Sequence, residues 1–524
     1  MLADKTTEPP LLSVSDDGRV VIPLLGGHRG ANRLAQEIAT MLDAQAAVTT
    51  AGDVAIGVAL DEPPSGYRLQ NPGDAKPVMA KLLSGAKPRI IGENIFRLDS
   101  DPEGPVDLVV SETPVPGDAT RLVYHPQSYV LGVGCARNAD PGELEALVLD
   151  TLASHEIAAG SIAAVATLDL KADEPAVVQL SSKLGVPLRL FTAAELETET
   201  PKLANPSEIV FSEVGTHGVS EAAALASATG TELFVEKHKS ANATCALARA
   251  PEPIVELRGR PRGRLSIVGI GPGQASWRTP EASRLVAEAE ELIGYGLYID
   301  LLGPLAAGKA RTDFPLGQEE DRCRYALEQA GGGKNVALIS SGDAGIYAMG
   351  ALVFELMDRG PEAQGVSDAA RRVEVISAPG ISALQAAAAR AGAPLGHDFC
   401  AISLSDLLTP REDIIRRLKA AATGDFVIAF YNPVSKRRRT LLAEARDILL
   451  GHRPADTPVL LASNLGRPEE NIRYRMLADL EVDDVDMLTV VLVGSSNSRL
   501  VQLGEGARMY TPRGYARKID GDLA

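Results

Sequence analysis

The chain has 524 residues, room for on the order of three to five domains of roughly 100–200 residues, and its 45% hydrophobic and 23% charged residues are those of an ordinary globular protein. A formal net charge of -17 and only 4% aromatic residues argue against nonspecific nucleic-acid binding and against base stacking as the main activity. Cys135, Cys245, Cys323 and Cys400 lie far apart with no CxxC pair, so neither a zinc knuckle nor a disulfide framework is expected, and a cytoplasmic location is the simplest reading.

Residues 1–17 are acidic, lack the apolar core of a signal peptide and read as a tail. No apolar run reaches the ~18 residues of a membrane span, so no membrane partner is expected. From Arg19, "RVVIPLL" reads as a strand, and "GGHRGANRLAQEIATMLDA" has helical spacing after a glycine turn, which gives one βα unit. Residues 62–75 and 100–119 are rich in loop-forming residues, and a first region is expected over 18–125. A second α/β domain is expected over 129–250, beginning with the strand "SYVLGVG" and running through "GCARNADPGELEALVLDTLAS" and "IAAVATLDLKADEP". Asp169, Lys171, Asp173 and Glu174 form a polar cluster after the strand-like 162–168. The proline and charge of 251–263 read as a linker.

Beyond it, strands are predicted at 264–270, 335–340, 373–377, 425–431, 457–462 and 487–493, mostly separated by helical segments. That alternation is an α/β pattern. "RLSIVGIGPG" ends its strand with Gly269, Gly271, Pro272 and Gly273. It is neither GxGxxG, since Gln274 takes the last position, nor a P-loop, since no GK[ST] follows. "SSGDAGIYAMG" at 340–350 and "SAPGISALQAAAARAGAPL" at 377–395 are two more glycine turns, and "AFYNPVSKRRRTL" follows at 429–441. Glycine turns at strand ends let a ligand approach the backbone, though each alone also reads as an ordinary βα turn. Asp343 is either a ligand contact or a turn-capping aspartate. Lys436 to Arg439 is either a carboxylate grip or a solvated helix start.

The three turns together with "YNP" carry a resemblance. Residues 264–510 resemble the tetrapyrrole (precorrin) methylase family, and "GYGLYIDLL", "GHDFCAISLSDLLTP", "FYNPVSKRRRTL" and "SNLGRPEE" resemble its precorrin-3B C17-methyltransferase branch. The resemblance implies a two-lobed α/β fold, here 264–392 and 393–518, with S-adenosylmethionine in the cleft. It implies cofactor contacts from Pro272, Ser341, Gly342, Asp343, Ile346, Ser382, Ala383, Tyr431 and Asn432. Substrate contacts are expected from Gly271, Gly273, Lys436, Arg437 and Arg467, a corrinoid tetrapyrrole being the substrate. The family also contracts the macrocycle, and Asp406 or His397 could steer protons there, or be a structural cap and a core histidine. A homodimer through this half is expected from the family, and contacts with neighbouring corrin-pathway enzymes are open to it.

"LLGGHRGANRLAQEIA", "GVGCARNADPGELEALV", "NPSEIVFSEVGTHGVSEAAAL" and "VEKHKSANATCALAR" resemble a second corrin-pathway family, the cobalt-precorrin-5A hydrolases or CbiG family. Ala136 stands where that family commonly has a basic residue. The resemblance implies opening of a δ-lactone with release of acetaldehyde, which needs an activated water and a stabilised oxyanion. His28 is a candidate base or a helix cap, Lys171 a candidate oxyanion or carboxylate contact, and Glu208, His217 and Lys237 are further candidates. No motif supports a protein-bound metal, and any cobalt would sit within the substrate. The chain thus reads as a fused, bifunctional enzyme of corrin-ring synthesis. The alternatives are a methyltransferase carrying a noncatalytic corrinoid-carrier half, or a tetrapyrrole-binding protein without turnover.

Overall fold

The computed structural model describes residues 10–27, 30–48, 58–435 and 439–515. The chain divides into two compact units, Met1–Arg262 and Gly263–Ala524.

Among the described residues the N-terminal unit holds three sheets. In the first, Leu11–Val14 pairs antiparallel with Val20–Leu25, which pairs parallel with Gln45–Ala46. Part of the expected tail is therefore a strand. In the second, Arg89–Ile91, Asp107–Val110 and Arg121–Pro126 run parallel, and Tyr67–Leu69 closes one edge antiparallel. The single region expected over 18–125 thus contains two sheets. The third has six strands, with Tyr129–Cys135, Ile162–Leu168 and Leu188–Phe191 parallel at its centre. Ile162–Leu168 is buried at every position, as a parallel strand covered on both faces must be. The wholly buried helix Ser220–Ala226 lies on Tyr129–Cys135, and a Cβ at Gly132 would fall 1.9 Å from the Ser220 carbonyl oxygen. Only glycine opposite the small residues "SEAAALA" permits that approach. The expected linker 251–263 is not all linker: Arg260–Pro261 adds an edge strand against Leu188–Phe191. Proline, lacking an N–H, is tolerated at such an edge.

The C-terminal unit has two lobes. In the first, five parallel strands lie in the order Ala310–Asp313, Glu291–Gly294, Asn335–Ser340, Arg264–Gly269, Glu374–Ala378. In the second, a mixed five-stranded sheet runs Phe399–Ser403, Val427–Tyr431, Thr489–Val493, Pro458–Ser463, Asn471–Met476. The bounds expected for the first lobe, 264–392, include the helix Ala383–Ala391. Its Leu384, Ala386, Ala387 and Ala391 instead share a core with Val427, Leu460 and Leu492 of the second lobe. The lobes therefore meet between 378 and 383, not at 392. No described helix is long and apolar enough to cross a membrane.

Candidate functional site

Three neighbouring strands of the first lobe, Asn335–Ser340, Arg264–Gly269 and Glu374–Ala378, end in glycine turns that touch one another. Gly271 N–H donates to the Gly342 carbonyl at 3.1 Å, and Gly342 N–H donates back to Gly271 at 2.9 Å. Both have left-handed φ, 75° and 71°. A Cβ at Gly269 would lie 2.7 Å from the Gly342 oxygen, and one at Gly380 only 2.0 Å from it. Backbone-on-backbone contact thus requires glycine at 269 and 380, while left-handed φ favours it at 271 and 342. Asp343 fastens two of the turns. One carboxylate oxygen accepts from Gly345 N–H at 2.8 Å within its own turn, and the other accepts from Gly380 N–H at 3.0 Å in the next.

These turns floor a cleft of about 340 Å³ closed on its other side by the second lobe. The structure brings together in this cleft all nine residues expected at a cofactor. Pro272, Ser341, Gly342, Asp343 and Ile346 come from the first two turns, Ser382 and Ala383 from the third, and Tyr431 and Asn432 from the end of Val427–Tyr431. The Tyr431 hydroxyl oxygen accepts from Leu384 N–H at 3.0 Å in the first turn of helix Ala383–Ala391. Burial raises the phenol's pKa, so it stays protonated at neutral pH. Ser382 caps the same helix, accepting from Gln385 N–H at 3.3 Å while the Gln385 side chain accepts from Ser382 N–H at 2.9 Å.

Three non-glycine residues lining the cleft, Tyr347, Asn432 and Asn464, have left-handed φ near 50°. Such backbone strain gathers where the surrounding structure must hold a particular shape. The Tyr347 hydroxyl donates to the Ala401 carbonyl at 2.8 Å, and its ring lies 5.2 Å from that of Tyr431. Leu316, Tyr347, Met487 and Leu488 line the cleft yet are each more than half exposed, which gives it an apolar rim open to solvent. Among the described residues, Arg322, Arg467, Glu319 and Asp343 are its charged residues, and no histidine lines it.

Other expected residues fall elsewhere. Gly271 and Gly273 flank the cleft without lining it: Gly271 is paired to Gly342, and a Cβ at Gly273 would lie 2.6 Å from the Gly466 oxygen. Their part is close packing. Arg467 both lines the cleft and ties the lobes together, its Nε donating to the Pro272 carbonyl at 3.2 Å. Asp406 does not line the cleft; it lies 3.9 Å from Arg411, which is itself bonded to Glu444. His397 is exposed beside Asp398 rather than in a core. Lys436, Arg437 and His28 lie outside the described residues. Tyr298, Arg322 and Asn464 line the cleft and were missed. Asn464, in "SNLG", and Tyr298, in "GYGLYIDLL", stand in quoted motifs, whereas Arg322 lies in a helix with no distinguishing local pattern.

In the N-terminal unit, Lys171 is half-buried at the end of the turn Asp169–Lys171, just past the strand Ile162–Leu168. Its neighbours are largely committed to one another. Arg137 donates to Asp173 at 2.9 Å and to fully buried Glu174 at 3.3 Å, and Glu174 also accepts from Asn138 N–H at 2.7 Å. Cys135, at the end of the adjacent strand, was not anticipated. Burial raises its thiol pKa, Glu174 adds to that, and the charges of Lys171 and Arg137 oppose it. His217 is oriented by Glu197, with Nδ1 2.8 Å from that carboxylate and its backbone N–H donating to it at 3.0 Å. Glu208 is 3.5 Å from the other ring nitrogen, and Lys237 donates to the Asn205 carbonyl at 2.9 Å.

Comparison with known proteins agrees with this division. Residues 264–481 match the tetrapyrrole (corrin/porphyrin) methylases, 129–248 match the cobalamin synthesis G C-terminus, and 1–53 match the cobalamin synthesis G N-terminal domain. A precorrin-3B C(17)-methyltransferase from Sinorhizobium sp is 45% identical over 255 residues, which cover 48% of this chain and 98% of that protein. A probable cobalt-factor III C(17)-methyltransferase from Salmonella typhimurium is 44% identical over 251 residues, covering 48% and 99%. The crystal structure of the methyltransferase CobJ is 40% identical, covers 48% of this chain and 100% of its own, and superposes with a TM-score of 0.44.

Proposed function

The chain belongs to the tetrapyrrole (corrin/porphyrin) methylases, and on that premise we propose that its C-terminal unit methylates C17 of precorrin-3B, or of its cobalt form, with contraction of the ring, using S-adenosylmethionine. The observation that carries this reading is the convergence of nine expected donor contacts on one cleft. The residues fit such a donor. The three turns offer glycine backbone at close range, Ser341 and Ser382 offer polar atoms, and Asp343 keeps lone pairs beyond its two backbone bonds. When bound, the donor supplies an already activated methyl group.

What the chain must add is position. Fastened turns and strained Tyr347, Asn432 and Asn464 hold the cleft's shape, and orientation of this kind supplies much of the rate in a two-ligand reaction. Among the described lining residues there is no histidine, which is consistent with a transfer that needs little proton movement at the methyl group. The apolar rim of Leu316, Tyr347, Met487 and Leu488 suits one face of a broad macrocycle. Titration of the full chain with S-adenosylhomocysteine by calorimetry tests the donor site. Saturable binding that is lost in a Ser382→Pro variant supports it, and the absence of heat from folded protein refutes it.

For the N-terminal unit we propose hydrolytic opening of the lactone of cobalt-precorrin-5A with release of acetaldehyde, supported by its matches to the two cobalamin synthesis G domains. Lys171 is its candidate for holding an oxyanion or a substrate carboxylate, since it stands half-buried just past a strand end. Acetaldehyde release from the authentic lactone tests this. A silent wild-type chain would leave the unit as a corrinoid carrier. The same reading carries a homodimer through the methylase unit and a cytoplasmic location.

A further inference from the structure

Arg322 stands in the helix Glu319–Gly331, is 2% exposed and lines the cleft. One guanidinium nitrogen, Nη2, donates to the Phe314 carbonyl at 3.3 Å and the Pro315 carbonyl at 3.0 Å. Nη1 lies 3.4 Å from Met349 Sδ, and Nε has no partner. No described carboxylate pairs with it. Glu319, one turn earlier and also lining the cleft, is engaged by Gly317 N–H at 3.0 Å.

Among the described residues most buried charges have a counter-charge, although Glu221, 2% exposed, is held instead by Asn205 and the Lys237 N–H. Buried Arg453 likewise binds backbone carbonyls, but Asp425 lies 3.7 Å away. Buried Glu291 has Lys334 at 2.8 Å, and buried Asp107 has both Arg89 and Arg121. Burial of a charge without a counter-charge is costly, and arginine cannot escape it by losing its proton. Stapling of the Phe314–Pro315 backbone needs only Nη2. A second orphan lines the same cleft: Ser340 is 2% exposed, and its hydroxyl has no partner.

Resting on the methyltransferase reading above, we propose that Arg322, with Ser340 lining the same cleft, anchors a carboxylate of a bound ligand, whose charge completes the buried guanidinium. Two ligands bring that chemistry, the methionyl end of the donor and the acidic side chains of the macrocycle. Arginine's planar fork matches a carboxylate in either.

The test compares wild type with Arg322→Met, which removes the charge and keeps much of the bulk. Calorimetry is run with S-adenosylhomocysteine and with its decarboxylated analogue, and methyl-transfer kinetics are run with the macrocycle. If the donor is the source, Arg322→Met binds S-adenosylhomocysteine roughly 10–100-fold more weakly and binds the analogue as wild type does. If the macrocycle is the source, donor affinity is unchanged, and KM for the macrocycle rises by a similar factor with kcat retained. Equal losses for both donor ligands, or no change in any of the three measurements, overturns the assignment. Should Arg322→Met fail to fold, Arg322→Lys keeps the charge without the fork. A smaller loss confined to the carboxylate-bearing ligand is then expected, and an indiscriminate loss overturns the assignment. Wild type that binds no S-adenosylhomocysteine would instead overturn the methyltransferase reading, and this assignment with it.

Discussion

Asp343 gives one oxygen to its own turn and the other to the next, so two backbone segments depend on one carboxylate. Asparagine would keep a single good acceptor and alanine none. Affinity for S-adenosylhomocysteine should therefore fall in the order wild type, Asp343→Asn, Asp343→Ala, with ~1–3 kcal/mol lost at alanine. Calorimetry that finds all three equal would show that the turns hold without it. The sequence shows the first bond, because an aspartate two residues before a glycine in a turn is a familiar cap. It hides the second, because Gly380 lies 37 residues away and meets Asp343 only once the sheet has formed. The glycines separate in the same manner. Gly342 has a left-handed φ but room, with the nearest atom to an added Cβ at 3.9 Å, whereas Gly380 has an ordinary φ and no room, at 2.0 Å. Gly342→Ala should cost ~1–3 kcal/mol of strain. Gly380→Ala should cost more, since the displaced atom is backbone that cannot swing aside. Thermal denaturation of the two variants should show the larger drop at 380; the reverse order would contradict the tight-turn account.

Elements were legible where burial is complete. Asn335–Ser340 and Thr489–Val493 are almost wholly buried, and their apolar runs announce them. Ala310–Asp313, mostly exposed and containing "ARTD", is an edge strand set by pairing with Glu291–Gly294, and no local pattern reveals it. The helix Ala383–Ala391 lies in a stretch read as a glycine turn, and its alanine-rich surface does not say which lobe will receive it. In the N-terminal unit, Asp107 joins three strands through Arg89 at 2.8 Å and Arg121 at 3.0 Å. The Arg89 bond, the largest cause, holds the Asp107 carboxyl below the usual carboxylate range, assisted by Arg121 and opposed by burial. A depressed pKa contributes stability above the unfolded value of about 3.9, and that stability is lost as pH falls through the folded value. Asp107→Asn should therefore weaken this sheet by ~1–3 kcal/mol at neutral pH. The deficit should shrink below about pH 4, as the wild-type carboxyl protonates. Hydrogen exchange of the peptides covering residues 87–126 reads both effects, and a deficit independent of pH would contradict the ion-pair account.

At the scale of the whole molecule, every turn that floors the cleft, and every described residue that lines it, falls within Gly263–Ala524. Residues 263–524 produced alone should fold and bind S-adenosylhomocysteine with the affinity of the full chain, within about threefold, or ~0.6 kcal/mol. A folded fragment with much weaker binding would show that the N-terminal unit contributes to the site. Two-unit organisation was readable from the charged, proline-rich stretch near 251–263 and from motifs that do not cross it. Convergence of the nine contacts was not readable from spacing alone, since they are spread from Pro272 to Asn432 and meet only through two lobes folding over each other. The central claim is that this cleft moves a methyl group onto a corrinoid precursor. Its most direct measurement is a single incubation of the purified full chain with methyl-labelled S-adenosylmethionine and precorrin-3B, free of metal or loaded with cobalt, with the product read by mass spectrometry and carbon NMR. One labelled methyl group at C17 of a contracted macrocycle, formed by wild type and strongly slowed in Asp343→Ala, is the predicted result. Donor that stays intact in the presence of bound macrocycle, or label appearing at a different ring carbon, would contradict it.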